Sequence, residues 1–150
     1  NKIITVWKFR TMCEDACALP TRQVQARDPR LTRIGGFLRY MSLDELPQLF
    51  NVIAGDMALV GPRPHAIDMR ASDKHLAEIA PDYTHRHRVK PGITGWAQVN
   101  GSRGPIETPE QVKERMRLDL EYISKASCWF DAWIIARTIP ALAFGRNTVR

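Results

Sequence analysis

The chain has 150 residues, of which 44% are hydrophobic and 25% are charged, and this composition excludes a largely disordered segment and fits one globular domain. Its 22 Lys and Arg side chains outnumber its 16 Asp and Glu side chains, so the formal net charge is +6. This balance favours an anionic partner such as a nucleotide, a nucleic acid, a phospholipid surface or a phosphorylated substrate, although a functionless surface excess would look the same.

The cysteine count and the hydropathy pattern narrow the class of protein further. Cys13, Cys17 and Cys128 are too few for a disulfide framework, and no second Cys or His pair at zinc spacing accompanies them. We therefore expect reduced thiols in a cytoplasmic setting. The sequence contains no signal peptide and no run of 18 or more apolar residues. Its opening residues are typical of the middle of a domain, so we expect a piece of a longer protein.

The first predicted element is a strand at residues 3–9, where β-branched and aromatic side chains predominate. Residues 11–18 are predicted as a short helix or a loop. A polar and basic loop that contains Pro20 and Pro29 follows. A short helical stretch is then predicted at residues 31–40.

A second helix is predicted from about Leu43 to Ile53, ending at Gly55. Its start has a capping-box pattern, because Ser42 is a suitable N-cap and Glu45 occupies the third helical position. A short strand at residues 57–61 is predicted to follow.

The second half of the chain is predicted to be mostly helical. A helix at residues 73–83 ends near Pro81, and residues 85–101 form a loop with extended pieces. A clear amphipathic helix at residues 108–126 has Thr108 as its N-cap. Its apolar stripe consists of Val112, Met116, Leu120 and Ile123. Together these elements predict one domain over residues 1–150, with an α+β fold that is mostly helical and has short strands and long functional loops.

The last predicted helix, at residues 128–144, allows two interpretations. It carries Asp131, Arg137 and Pro140, which make it too charged and too short to span a bilayer. Its three aromatic residues and its cation suit a helix that lies in a membrane interface. A core helix with a kink at the proline explains the same pattern equally well.

Two adjacent acids, Asp44 and Glu45, stand out at the start of the second helix. Local sequence grammar explains them as first-turn acids of a capped helix. However, arginines surround them in the sequence, with Arg39 before and Arg63 after the pair. A pair of carboxylates among guanidinium groups suits Mg²⁺ and a phosphorylated ligand, and one carboxylate could instead attack phosphorus itself.

Basic residues occur in several other segments that could converge on this acidic pair. Arg63 lies between two prolines in VGPRP (60–64), which restrict its backbone. Lys8 and Arg10 would share a face on the predicted first strand. The glycine-containing segment 85–104, which includes Arg88 and Arg103, could bind an anion, stack on a base or face a membrane.

Three long blocks then resemble one family. KFRTM (8–12), SLDELPQLFNVIAGDMALVGPRP (42–64) and RVKPGITGWAQVNG (88–101) resemble, in the same order, the bacterial sugar transferase family of monotopic polyprenyl-phosphate phosphoglycosyl transferases. The segment after Asn100 looks closest to the branch that transfers glucose- or galactose-1-phosphate. The resemblance covers nearly the whole chain and implies the catalytic portion of such an enzyme, which starts exopolysaccharide, O-antigen or glycan assembly.

The resemblance also implies roles for individual residues. Asp44 matches the family's nucleophile, which takes a sugar phosphate from a UDP-sugar and passes it to polyprenyl (undecaprenyl) phosphate. Glu45 matches the second acid of the dyad, and the two acids would hold Mg²⁺. Arg39 and Arg63 match phosphate-binding positions best. The wider set of predicted phosphate-binding residues is Lys8, Arg10, Arg39, Arg63, Arg88 and Arg103.

The family's members act at the cytoplasmic face of the bacterial inner membrane, so membrane lipids are expected partners, and a homo-oligomer is possible. They carry a hydrophobic re-entrant helix upstream of KFRTM, and we expect that helix to lie outside these 150 residues. Two alternatives remain at this point. The chain could be a basic nucleic-acid-binding module, which its charge permits, or an inactive scaffold.

Overall fold

The computed structural model describes residues 3–13, 28–66, 69–72, 74–106 and 108–144, and it has the predicted α+β architecture, mostly helical with few short strands. The six α-helices are α1 (Arg33–Tyr40), α2 (Gln48–Ile53), α3 (Leu76–Ile79), α4 (Trp96–Val99), α5 (Pro109–Lys125) and α6 (Cys128–Phe144). The strands are β1 (Ala58–Val60), β2 (Arg70–Ala71), β3 (Lys74–His75) and β4 (Gly92–Thr94). Two 3₁₀ helices occupy Leu43–Glu45 and Pro81–Arg88.

The strand predicted at residues 3–9 is wrong, because no strand pairs with this segment among the residues just described. Its backbone is bound by α2 instead: the Trp7 amide donates to Asn51 Oδ1 (3.0 Å), and Asn51 Nδ2 donates to the Thr5 carbonyl (2.7 Å). The Phe9 amide donates to the main-chain carbonyl of Asp44 (3.0 Å). A side-chain amide thus satisfies the backbone groups that a strand neighbour would otherwise satisfy. Residues 14–27, where a short helix or loop was predicted, lie outside the described residues.

The sheet that positions the middle of the chain consists of β1 and β4, which pair in parallel with Ala58 opposite Gly92 and Val60 opposite Thr94. The predicted strand at 57–61 is therefore confirmed. The pairing continues past β1, because the Gly92 amide donates to the Pro62 carbonyl (3.0 Å). A Cβ atom at Gly92 would lie 2.6 Å from the carbonyl carbon of Val60, so only glycine allows this close approach.

Helix α5 joins the two halves of the hydrophobic core. Its predicted start is confirmed, since Thr108 and Gln111 form a capping box. Val112 and Met116 pack in one cluster with Ile106 and Leu76, as the predicted stripe requires. The second cluster, built around α5, β1 and α6, contains Val60, Val99, Tyr122 and Ile134.

The connection between β3 and α5 differs in detail from the prediction. The helix predicted at 73–83 is reduced to the four residues of α3, and a 3₁₀ helix starts at Pro81. The extended piece expected within residues 85–101 is β4, but α4 was not predicted. A single helical turn after Gly95 is too short to produce a recognisable periodicity.

Helix α6 combines both interpretations of its sequence. Ile134 is completely buried in the second core cluster, whereas Trp129 is 88% exposed. One side of the helix therefore packs on the core and the other presents apolar side chains to the surroundings. Within the described residues, every helix is too short or too polar to cross a bilayer.

Helix α1, predicted at 31–40, is confirmed, with Thr32 as its N-cap, and it contains two adjacent glycines with opposite surroundings. A Cβ atom at Gly35 would overlap the Thr11 carbonyl oxygen and lie 2.7 Å from its carbon, whereas Gly36 has open space. We predict that Gly36→Ala stabilises the fold by about 0.5–1 kcal/mol and that Gly35→Ala destabilises it by about 1–3 kcal/mol. Urea unfolding of both variants is the measurement, and equal effects would contradict this docking of α1 on Thr11.

Candidate active site

The acidic pair lies in a tight turn rather than in the regular helix predicted from Leu43 to Ile53. Ser42 has a left-handed backbone (φ 56°) and makes no capping hydrogen bond, so the predicted capping box is wrong. A 3₁₀ turn holds the two acids, and α2 starts only after Pro47. In one continuous helix the ring of Pro47 would clash with the carbonyl of Leu43, which explains the break.

Glu45 is held by two cations from distant parts of the chain. Lys8 Nζ donates to Glu45 Oε1 at 2.8 Å. Arg63 binds with both terminal nitrogens, Nη1 to Oε2 at 3.0 Å and Nη2 to Oε1. Burial by itself would raise the pKa of Glu45, but the hydrogen bonds and charges of Arg63 and Lys8 outweigh burial and lower this pKa to about 2. We call Lys8, Glu45 and Arg63 the Glu45 clamp.

Asp44, next to Glu45, has the opposite environment. It is only 7% exposed, and within the described residues no other side chain hydrogen-bonds to its carboxylate. Burial raises the pKa of Asp44, and the negative charge of Glu45 raises it further, while the charges of Lys8 and Arg39 oppose both effects. The pair therefore consists of one carboxylate engaged by cations and one whose oxygens are available.

Two more of the predicted basic residues lie near this turn. Arg39 lowers the pKa of Asp44 through its charge, and its Nε donates to Thr11 Oγ1 (2.7 Å). Arg103 donates to Ser42 Oγ (3.4 Å) and to the carbonyl of Ala141 in α6 (3.0 Å). Its guanidinium thus connects the acidic turn to the end of α6, which a role in phosphate binding would have to share.

The remaining predicted basic residues are placed differently. Arg10 is exposed, and its role stays a prediction. Arg88 lines a cavity of about 720 Å³, which Arg63, Lys90 and the apolar segment around Ile4 also line. Arg63 is thus shared between the Glu45 clamp and this cavity, whereas Arg88 belongs to the cavity.

Sequence analysis missed a buried ion pair next to Arg63. Arg86 and Asp119 are 3% and 2% exposed and lie 2.9 Å apart, Nη2 to Oδ2. A usable signal was present, because Asp119 follows Met116 by three residues and so falls on the buried stripe of α5. A carboxylate on such a stripe requires a buried partner.

Comparisons with known proteins agree with this site. Residues 1–145 match the family model described as bacterial sugar transferase. The chain is 53% identical over 148 residues to an undecaprenyl-phosphate glucose phosphotransferase of Komagataeibacter xylinus, covering 98% of this chain and 28% of that protein. It is 49% identical over 139 residues to a UDP-glucose:undecaprenyl-phosphate glucose-1-phosphate transferase of Escherichia coli K12, covering 93% and 29%.

A third relative acts on a different sugar. The chain is 37% identical over 145 residues to a UDP-N-acetylgalactosamine-undecaprenyl-phosphate N-acetylgalactosaminephosphotransferase of Aeromonas hydrophila, covering 97% of this chain and 33% of that protein. The chain thus spans about a third or less of the length of these three relatives.

The Glu45 clamp makes stability depend on pH in a defined direction. Because the folded-state pKa of about 2 lies below the ordinary value of 4.5, the clamp stabilises the fold fully above about pH 4.5 and loses this effect as pH falls toward 2. We predict that Arg63→Ala lowers the free energy of unfolding by about 1–3 kcal/mol at pH 7, and by progressively less between pH 4.5 and 2.

Urea unfolding in metal-free buffer across this pH range checks the prediction. Arg117→Ala is the control, because Arg117 also forks onto a glutamate, Glu114, but does so on the exposed face of α5. That variant should change stability by less than about 0.5 kcal/mol. A difference between wild type and Arg63→Ala that stays constant down to pH 2.5 would contradict the assigned clamp.

Proposed function

Because this chain belongs to the bacterial sugar transferase family, we propose that it transfers a sugar-1-phosphate from a UDP-sugar to undecaprenyl phosphate, with Asp44 as the nucleophile. UDP-glucose is the first donor to test, because the relatives at about 50% identity are named for glucose. Family membership also replaces the interpretation of the positive charge as a nucleic-acid-binding module.

The observation that carries this proposal is the different treatment of the two acids. A nucleophilic carboxylate must be ionised and must have an oxygen free to attack. Asp44 meets the second condition because its carboxylate has no side-chain hydrogen-bond partner among the described residues. Lys8 and Arg39 favour its ionised form through their charges. Glu45 does not meet the second condition, since both of its oxygens accept hydrogen bonds from the clamp.

The proposed reaction has two balanced steps. An Asp44 oxygen bonds to the β-phosphorus of the UDP-sugar, and the bond from that phosphorus to the bridging oxygen breaks, so UMP leaves with the electron pair. An oxygen of undecaprenyl phosphate then bonds to the same phosphorus, and the bond to Asp44 breaks. The carboxylate is regenerated, and the product is an undecaprenyl diphosphate sugar. A covalent intermediate of this kind gives ping-pong kinetics.

The donor set fits Mg²⁺ bound together with a substrate. Within the described part of the chain no group of three His, Cys, Asp or Glu residues converges, so a dedicated protein cage for a metal is not seen there. Mg²⁺ in phosphate chemistry commonly uses one or two carboxylates, with waters and phosphate oxygens completing its shell. Asp44 and Glu45 would supply these carboxylates, and the ion would neutralise phosphate charge. The side chains of Lys8, Arg39 and Arg63 are placed to bind the phosphates beside them.

Exposed apolar side chains next to this site support docking on the cytoplasmic face of the inner membrane. One apolar surface runs from α1 to α2 and consists of Ile34, Phe37, Tyr40, Met41, Leu46, Leu49, Phe50 and Ile53. The second lies on α6 and consists of Trp129, Trp133, Ile135 and Ile139. Arg103 connects Ser42 to Ala141 and so holds the two elements together. Soluble proteins rarely expose this much apolar surface without a partner, and a lipid substrate makes a bilayer the fitting one.

We predict that Asp44→Asn abolishes transfer, by at least about 10³-fold, and leaves the fold intact, because the amide cannot attack phosphorus. The assay is UMP release by the purified protein from UDP-glucose labelled at the β-phosphate, with Mg²⁺, undecaprenyl phosphate and detergent. Digestion after omission of the lipid should yield label on the peptide that contains residue 44. Near wild-type transfer by Asp44→Asn, or kinetics that require both substrates bound together, would contradict the mechanism. A folded wild type without UMP release would indicate a scaffold.

We predict that Ile53→Ser and Trp129→Ser each weaken binding to vesicles of phosphatidylethanolamine and phosphatidylglycerol about tenfold or more, because each removes a large apolar side chain from the interface. These residues are 82% and 88% exposed, so the fold should be unaffected. Lys113→Gln, at an exposed position of α5 outside both apolar surfaces, is the control and should bind as wild type does. Equal losses in all three variants would indicate purely electrostatic binding in place of apolar insertion.

A further inference from the structure

The buried pair of Arg86 and Asp119 lies directly behind the loop that carries Arg63. Asp119 projects from α5, and its Oδ2 accepts hydrogen bonds from Arg86 Nη2 (2.9 Å) and Nε (3.2 Å). Arg86 comes from the second 3₁₀ helix, 33 residues earlier in the chain. The pair therefore joins the long core helix to the segment that faces the Glu45 clamp.

The other side of the Arg86 guanidinium grips the loop at two points. Nη2 also donates to the main-chain carbonyl of Arg63 at 2.6 Å. Nη1 lies 2.6 Å from His65 Nδ1, and since arginine only donates, the histidine nitrogen accepts. Burial and the charges of nearby arginines lower the pKa of His65 well below its ordinary value, which agrees with a neutral ring in this role.

We propose that Arg86 and Asp119 are positioning residues that hold the main chain of Arg63 so that its guanidinium meets Glu45 with both nitrogens. This inference deepens the proposed function and rests on it. Arg63 lies between Pro62 and Pro64, whose rings restrict the backbone on either side. Once its carbonyl is tied to Arg86, only side-chain torsions remain to set the direction of its fork.

The arrangement is specific to arginine. All five N–H donors of Arg86 have a partner, since Nη1 also points at Tyr83 Oη (3.4 Å). Lysine would keep the charge but has three donors on one nitrogen and cannot reach both Asp119 and the loop in the same way. A buried ion pair by itself is weak evidence for stabilisation, so its value here lies in the geometry that it imposes.

The first test observes Arg63 directly and does not depend on activity. In wild type, the clamp should slow rotation of the Arg63 guanidinium, so its Nη groups give separate ¹⁵N signals, assigned by their loss in Arg63→Lys. We expect Arg86→Lys to average these signals. Val112→Ala, which removes buried apolar volume from the same helix α5, should leave them separate. Separate Arg63 signals in a folded Arg86→Lys would overturn the proposal.

The second test is a double-mutant cycle on UMP release. Arg86→Lys should lower kcat/KM about 10- to 100-fold in wild type and have little further effect in Arg63→Lys, because it acts through Arg63. Its effect on stability should persist in both backgrounds. Multiplying losses of kcat/KM would overturn the proposal. If wild type releases no UMP, the proposed function fails, while the ¹⁵N signals still decide the positioning role. If Arg86→Lys does not fold, Asp119→Asn replaces it with the same readings.

Discussion

The fork of Arg63 onto Glu45 is the interaction on which the rest of the site depends. Two adjacent carboxylates in a largely buried turn repel each other and lose hydration. Here the charge of Glu45 is compensated by Arg63 and by Lys8, so its neighbour Asp44 needs no ion-pair partner of its own. The result is two chemically similar neighbours with pKa values shifted in opposite directions, down for Glu45 and up for Asp44. Such divergence is how a protein assigns different roles to paired acids.

Each member of the clamp reaches the site from a different part of the fold and has its own support. Lys8 is carried by an extended segment whose backbone is fixed by the side chain of Asn51. Arg63 follows β1, whose pairing with β4 continues to the carbonyl of Pro62. Arg86 binds the next carbonyl along the chain, that of Arg63. The site therefore forms only when helix α2, the small sheet and helix α5 are all in place, which couples its geometry to the packing of the whole domain.

The chemistry also lies beside the most apolar parts of the surface. Arg103 spans from the hydroxyl of Ser42, which precedes the acids, to a carbonyl near the end of α6. An enzyme that transfers a charged sugar phosphate to a lipid phosphate must present polar groups at the boundary of an apolar phase. A cation that links the acidic turn to an exposed aromatic helix is consistent with that requirement, because the long side chain of arginine tolerates both environments.

Local patterns in the sequence determined the elements with strong and continuous signals, which are α1, the strand before Pro62 and α5 with its Thr108 cap. Family blocks identified the acids and the arginines around them. Only the tertiary structure decided that residues 3–9 lack a strand partner within the described part of the chain, that Pro47 divides the predicted helix, and that Glu45 binds cations instead of capping. It alone revealed the pairing of Arg86 with Asp119. The physical reason is distance along the chain: periodicity and caps act within a few residues, whereas a buried charge is satisfied by whichever partner the fold brings to it.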